Sequence, residues 1–400
     1  MEQLTPATLR SRAGFTATLA GAMAAGTLVA PALAVLASFV IGDVGLSRSQ
    51  LGLVMAAYYG VAAVGSPSVG RLADRFGGRR LLVGTFLLSA AGFLVVAAAP
   101  GLLLLLAGAA IGGLGQAAAN PSTNKLLSVH VAPGQRGLIT GLKQSGVQAG
   151  VFVAGMALPT LALAFGWRAA MAGVGLLFLA AAAVVRAVVP ADPAAGPAEP
   201  RHRSDRGSLP PAVMWLAAYG GLMGAGAGAV TAYLPLYAEE GLGLSVTVAG
   251  AVAGVSGAVG FVSRITWSTV SERGATFSRP LGAIALLATV SAAGLMAAPA
   301  VGVWLLWVAA VVHATSGLAW NSVGMLAVMH VAGNRQAGRA SGIVLLGFLA
   351  GFSIGPPLFG WSVDTTGSYA AGLAVVVLAF AAAGIVMLRW SRVYVADQAA

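Results

Sequence analysis

The chain has 400 residues, of which 58% are hydrophobic and only 8% charged, with a mean hydropathy of +0.89. Soluble chains carry about 25% charged residues, so this one cannot furnish a water-facing exterior, and lipid must be its main solvent. The net charge of +11 does not indicate nucleic acid, because the basic residues sit between apolar runs without interleaved aromatics, and the absence of cysteine excludes disulfides, thiolate metal sites and a cysteine nucleophile.

In chain order, Arg10 and Arg12 precede an apolar run from Gly14 to Ile41. That run exceeds the 7–15 residues of a signal peptide core and reads as a retained first span. Eleven more segments reach the roughly 20 apolar residues that a span needs. The twelve are about 14–41, 50–70, 80–99, 101–126, 138–164, 168–190, 211–238, 245–268, 279–298, 300–328, 341–362 and 369–389. All are expected to be helices, since backbone polar groups inside lipid must be satisfied within the segment. Of the 22 Lys and Arg, only Arg48 and Arg168 fall in odd-numbered loops, which instead carry Asp43, Glu239, Glu240 and Asp364. The excess of positive charge in the even-numbered loops predicts that these loops and both termini are cytoplasmic.

Polar residues inside spans are costly and are functional candidates. Span four carries Gln116, Asn120, Thr123 and Asn124 at spacings that keep one helix face. Span five carries Lys143, Gln144 and Gln148 in "LKQSGVQ", with Lys143 about 9 Å past the helix start at 1.5 Å per residue. A cation there either attracts an anionic solute or snorkels to the interface. Span ten carries His313, Ser316, Trp320 and Asn321, also read as one face. Either these faces line a substrate cavity or they hydrogen-bond between helices. His313 is the one deep residue that titrates near neutral pH, so it is the candidate for proton coupling, with a structural histidine as the alternative. Tyr58, Tyr59, Tyr219 and Tyr233 are either cavity aromatics or packing, and Arg264 is placed in the region of a cytoplasmic gate.

The stretch "ADPAAGPAEPRHRSDRGSLPP" near the midpoint reads as a flexible cytoplasmic linker, residues 191–210, between an N-terminal bundle, 1–190, and a C-terminal bundle, 211–400. The halves repeat. "GLSRSQLG" at 45–52 matches "GLSVTVAG" at 243–250, "ADR" at 73–75 matches "SER" at 271–273, and His130 matches His330. Two copies of six spans share one orientation, so the repeat axis runs along the membrane normal. Gly-x-x-x-Gly spacings, such as Gly108 with Gly112 and Gly250 with Gly254, suit close helix packing.

"GRLADRFGGRR", residues 70–80, is the turn between spans two and three, with Gly77 and Gly78 free to take unusual backbone angles. It resembles the Gly-x-Leu-Ala-Asp-Arg-x-Gly-x-Arg-Arg signature of the major facilitator superfamily, and "SER" at 271–273 resembles its degenerate second copy. The resemblance extends over the whole chain, through "GQRG" after span four, "FGWR" before span six and "GPPLFGW" in span eleven. It implies a cytoplasmic gate made by Gly70, Asp74, Arg75, Gly77, Arg79 and Arg80, with Glu272 and Arg273 as a weaker counterpart. Two family features are missing. Span four has no arginine before its glycines, and span five lacks the Gly-Pro signature of drug–proton antiporters.

The expected fold is thus an all-α membrane protein of twelve transmembrane helices in two pseudo-symmetric six-helix bundles. The expected function is secondary active or facilitative transport of a small organic solute by alternating access, with a bias toward anionic or carboxylated substrates. A drug/proton antiporter and a non-transporting sensor remain the alternatives. No Walker-type sequence, paired deep carboxylates or HExxH motif points to an enzyme. The expected partners are the substrate, the bilayer of the inner or plasma membrane and, through His313, protons. The chain is expected to be a monomer without metal, cofactor or nucleic acid.

Overall fold

The computed structural model of the protein describes residues 6–132, 135–189, 209–272 and 277–399, without the side chains of 6–12, 74, 137, 268, 272, 333–335, 337–338 and 392–399. Most of the linker at 191–210 lies outside the described residues. The first half contains α1 (Pro6–Thr27), α2 (Val29–Val35), α3 (Ala37–Val44), α4 (Arg48–Phe76), α5 (Gly78–Ala97), α6 (Leu102–His130), α7 (Arg136–Phe165) and α8 (Trp167–Val188). The second contains α9 (Pro211–Glu240), α10 (Val246–Glu272), α11 (Ser278–Val301), α12 (Val303–Ser316), α13 (Trp320–Thr366) and α14 (Tyr369–Ala399). Leu103, Leu163, Leu177, Leu286 and Leu388 stand exposed on the surface, as fits a chain solvated by lipid.

Among the described residues, eleven stretches of helix are long and apolar enough to cross a membrane, and a bent pair, Ala13–Thr27 with Val29–Val35, makes a twelfth when taken as one span. The first span was expected to run unbroken over 14–41; it bends by 58° at Leu28 instead. Pro31 accounts for the bend. It has no N–H for the Thr27 carbonyl four residues earlier, and its ring crowds that carbonyl. Side chains take over neighbouring acceptors: Thr27 Oγ1 donates to Met23 O at 2.7 Å, and Tyr58 from α4 donates to Gly26 O at 2.7 Å. Span ten is also broken. Helix α12 stops at Ser316, residues 317–319 form a turn, and α13 resumes at Trp320 before continuing into span eleven.

Within the first half, α5 packs on α6 and α8, α4 on α6, and α1 on α7; within the second, α13 packs on α9, α11 on α12 and α14, and α10 on α12. The halves meet chiefly through α4 against α13 and α7 against α10. A shift by six spans carries span two onto span eight and span five onto span eleven. It therefore exchanges one cross-pair for the other, as a two-fold repeat requires. Both seams are backbone-close. A Cβ on Gly52 would fall onto Pro356 and Pro357, and one on Gly155 would fall onto Gly250 and Gly254. Larger residues there would hold the halves apart.

Candidate functional site

At the end carrying the odd-numbered loops, charged side chains tie the two halves together. Arg48, at the start of α4, donates to Glu240 Oε2 of α9 through Nε at 3.0 Å and Nη2 at 2.6 Å. Tyr369 of α14 donates to the same oxygen at 2.5 Å. Asp364 of α13 accepts the backbone N–H of Arg48 at 3.1 Å and of Ser49 at 2.7 Å, as well as the Ser49 hydroxyl. These amides belong to the first turn of α4 and have no partner within the helix, so a carboxylate there also meets the positive end of the helix dipole. Tyr233 completes the clasp by donating to Arg48 O at 2.5 Å. Arg168, the other odd-loop arginine, acts within the first half: it pairs with Asp43 at 3.0 Å and donates to Ala99 O at 3.1 Å.

Below the clasp an aromatic file crosses the seam. Centroids are 4.9 Å apart for Tyr58–Tyr59, 4.8 Å for Tyr59–Phe352, 4.7 Å for Phe352–Phe348, 5.0 Å for Phe348–Trp320 and 5.7 Å for Trp320–Tyr219. These edge-to-face contacts close the space between the halves. At this level Ser353 of α13 donates across the seam to Ala56 O of α4 at 3.0 Å.

Toward the even-loop end lie the polar residues of spans four and five. Asn120 and Asn124 are exposed, and Gln116 and Gln144 partly so. Gln144 Nε2 donates to Asn120 Oδ1 at 3.2 Å. Gln148 is 5% exposed and faces α10 near Gly257 and Gly260. Gln116 Oε1 has no hydrogen-bond partner among the described residues. Lys143 is 0% exposed, held behind this row, and its ammonium donates to Thr123 Oγ1 at 2.9 Å and Asn124 Oδ1 at 2.5 Å. It neither snorkels nor meets a carboxylate.

The span-ten residues are turned elsewhere. His313 lies over Gly317 and against Phe380 of α14, with neither ring nitrogen hydrogen-bonded among the described residues. Ser316 is fully buried and donates back to Val312 O at 2.6 Å. Trp320 is fully buried between Tyr219 and Phe348, and Asn321 is partly buried with Oδ1 unpartnered among the described residues. The break at 317–319 means that Ser316 and Trp320 do not belong to one continuous helical face. Two side chains of α10 cap the broken turn: Arg264 Nε donates to Leu318 O at 3.1 Å, and Trp267 Nε1 donates to Thr315 O at 2.7 Å. Arg264, expected at the cytoplasmic end of span eight in the region of a gate, thus sits against the broken turn of span ten.

Of the residues that the resemblance assigned to a gate, Gly77 turns the chain with φ 86°, and Gly70 has open space around it. Arg75 lies over its neighbour Phe76, Arg79 donates to Arg186 O within the first half, and Arg80 is exposed. The side chains of Asp74 and Glu272, and all of Arg273, lie outside the described residues. No cluster of three or more potential metal ligands occurs among the described residues.

Comparison with known proteins extends this picture. The hexuronate transporter of Bacillus subtilis (strain 168) is 26% identical over 375 residues, covering 86% of this chain and 87% of that one. The 4-hydroxybenzoate transporter PcaK of Acinetobacter baylyi is 34% identical over 146 residues, 36% of this chain and 30% of that one. Among solved structures, a bacterial homolog of the human lysosomal transporter Spinster, inward-facing and occupied, superposes with a TM-score of 0.82 at 17% identity, covering 96% and 98% of the two chains. A point mutant of the nucleoside transporter NupG superposes with a TM-score of 0.77 at 11% identity, covering 94% and 99%. A sequence profile described as Major Facilitator Superfamily matches residues 13–356. With twelve spans in two like-oriented sets of six, and a profile match over most of its length, the chain belongs to the Major Facilitator Superfamily.

Proposed function

We propose that this transporter carries a small organic solute bearing a carboxylate, by alternating access between two bundles, 1–190 and 211–400, with its even-numbered loops and both termini in the cytoplasm. The observation that carries the reading is Lys143. Its ammonium has no exposed surface and only neutral oxygens as partners. Burying a charge without a counter-ion costs several kcal/mol, and no Asp or Glu lies in the interior of any span to offset it. The missing negative charge is supplied when an anion enters beside Asn120, Asn124 and Gln144. At an effective dielectric of about 20, an ammonium about 8 Å from a carboxylate contributes roughly 2 kcal/mol. The similarity to a hexuronate transporter and, over a shorter stretch, to a 4-hydroxybenzoate transporter supports the same substrate class.

In this reading the clasp at Arg48 seals the outer face, and the solute exchanges with the cytoplasm. The arginine-rich turn at 70–80, with Asp74 as its acid and Glu272 with Arg273 as the second copy, closes the inner face in the opposite state. The test is flux into liposomes of labelled glucuronate and 4-hydroxybenzoate against their uncharged alcohol counterparts. Lys143→Ala is expected to raise KM for the carboxylates by about tenfold or more, with little change for any neutral solute that is moved. Undiminished carboxylate transport by Lys143→Ala would overturn the cationic-site reading.

A further inference from the structure

Resting on the anion reading above, the register of α7 against α10 assigns a second cation to the same site. The two helices run antiparallel. Gly155 lies opposite Gly250 and Gly254, Val151 opposite Gly257, and Gln148 opposite Gly260. Continuing one turn toward the even-loop end sets Gln144 opposite Arg264. Gly257, Gly260 and Arg264 are spaced i, i+3 and i+7, so they share one face of α10. That face looks toward α7 and α12, since Gly260 is bordered by Gln148 on one side and by Ala314 and Leu318 on the other.

Lys143 has no surface that a solute can touch, whereas Arg264 is partly exposed. Its Nε is anchored to Leu318 O, a carbonyl at the turn in broken span ten. An arginine anchored in this way loses little further freedom on binding, and its planar fork matches a carboxylate bidentately. We propose that Arg264 is the residue that holds the solute's carboxylate, with the amides of Asn120, Gln144 and Gln148 facing it from the first half. Lys143 then acts from behind through its field. The solute touches both halves at once, and the specificity for a carboxylate resides in the second half.

The experiment is the liposome assay with glucuronate and 4-hydroxybenzoate, using the purified full chain. Arg264→Gln is expected to raise KM for the transported carboxylate by about ten- to hundredfold, the loss of one charge-assisted contact, with Vmax changed far less. Arg264→Lys, which keeps the charge but not the fork, is expected to fall between Gln and wild type. Trp267→Phe removes the other cap on span ten and is expected to leave KM near wild type. An unchanged KM in Arg264→Gln overturns the assignment, and so does a KM rise of the same size in Trp267→Phe, since that would mark a purely structural role. If Arg264→Gln does not survive purification, Arg264→Lys decides: a several-fold rise in KM supports the assignment and an unchanged KM overturns it. Wild type that moves neither carboxylate would sink the anion reading and this assignment together, whereas wild type that moves one while Arg264→Gln keeps its KM would sink this assignment alone.

Discussion

The two ends of the molecule are built on opposite electrostatic plans. At the odd-loop end every described charge that bridges the halves has a partner: Arg48 meets Glu240 and Asp364, and Asp364 also takes two helix-end amides. Toward the even-loop end Lys143 is fully buried and its ammonium meets only the neutral oxygens of Thr123 and Asn124. Paired charges at a seam stabilise one conformation and need nothing else. A buried charge without a counter-ion is costly until a group of the other sign arrives. The first plan suits a latch and the second a binding site, and the aromatic file separates them.

The strongest way to break the comparison is at the backbone seam of the latched end. Gly52→Val drives a side chain into Pro356 and Pro357, and overpacking against backbone costs about 3 kcal/mol. We expect the closed odd-loop state to lose population by on the order of a hundredfold. The native chain has no cysteine, so the labelling rate of a single cysteine introduced at Ser353, which bonds across the seam to Ala56 O at 3.0 Å, would report the change. Asp364→Ala comes next. It strands two amides and removes the anion from the α4 dipole, an effect of about 1–2 kcal/mol, so the same label should react about tenfold faster. Arg48→Ala and Glu240→Ala are expected to be weaker still. The pair is partly exposed, and a double-mutant cycle on labelling rates should return a coupling of about 0.2–1 kcal/mol. The smallest effect sharpens the other side of the comparison. Lys143→Met replaces an uncompensated buried charge with an apolar chain of similar length. Its thermal unfolding temperature should stay level or rise by about a degree or two, even as carboxylate affinity falls. A large drop in unfolding temperature would show that Lys143 stabilises the fold and does not await an anion.

The spans were legible because length and hydropathy alone decide what can cross lipid, and the six-span repeat was legible because offsets near 200 recur in order. The helix breaks at Leu28, Leu36 and 317–319 were not predicted. Pro31 was in plain view, and its missing N–H explains the bend at Leu28, whereas span ten breaks at 317–319 without any proline. The polar face of span ten was read on the assumption of an unbroken 3.6-residue period. The break removes that period, and His313, Ser316 and Trp320 pack within the second half. Arg48 stood out in the sequence as an exception to the charge distribution, but its partners lie 192 and 316 residues away, and no local pattern carries pairings of that range. Arg264 was visible as an ionisable residue inside a span. Its depth relative to span five emerges only from the register of α7 on α10.

The aromatic file has a consequence for how tightly the membrane stays sealed. Its rings fill the seam with edge-to-face contacts at the one joint, Tyr59 against Phe352, where first half meets second. A dry layer of this kind offers a dissolved ion no replacement for its hydration shell. In the proposed transport cycle, an ion outside would meet this layer while the far side stands open, so that the carrier's own motion would not short-circuit the cell's electrochemical gradients.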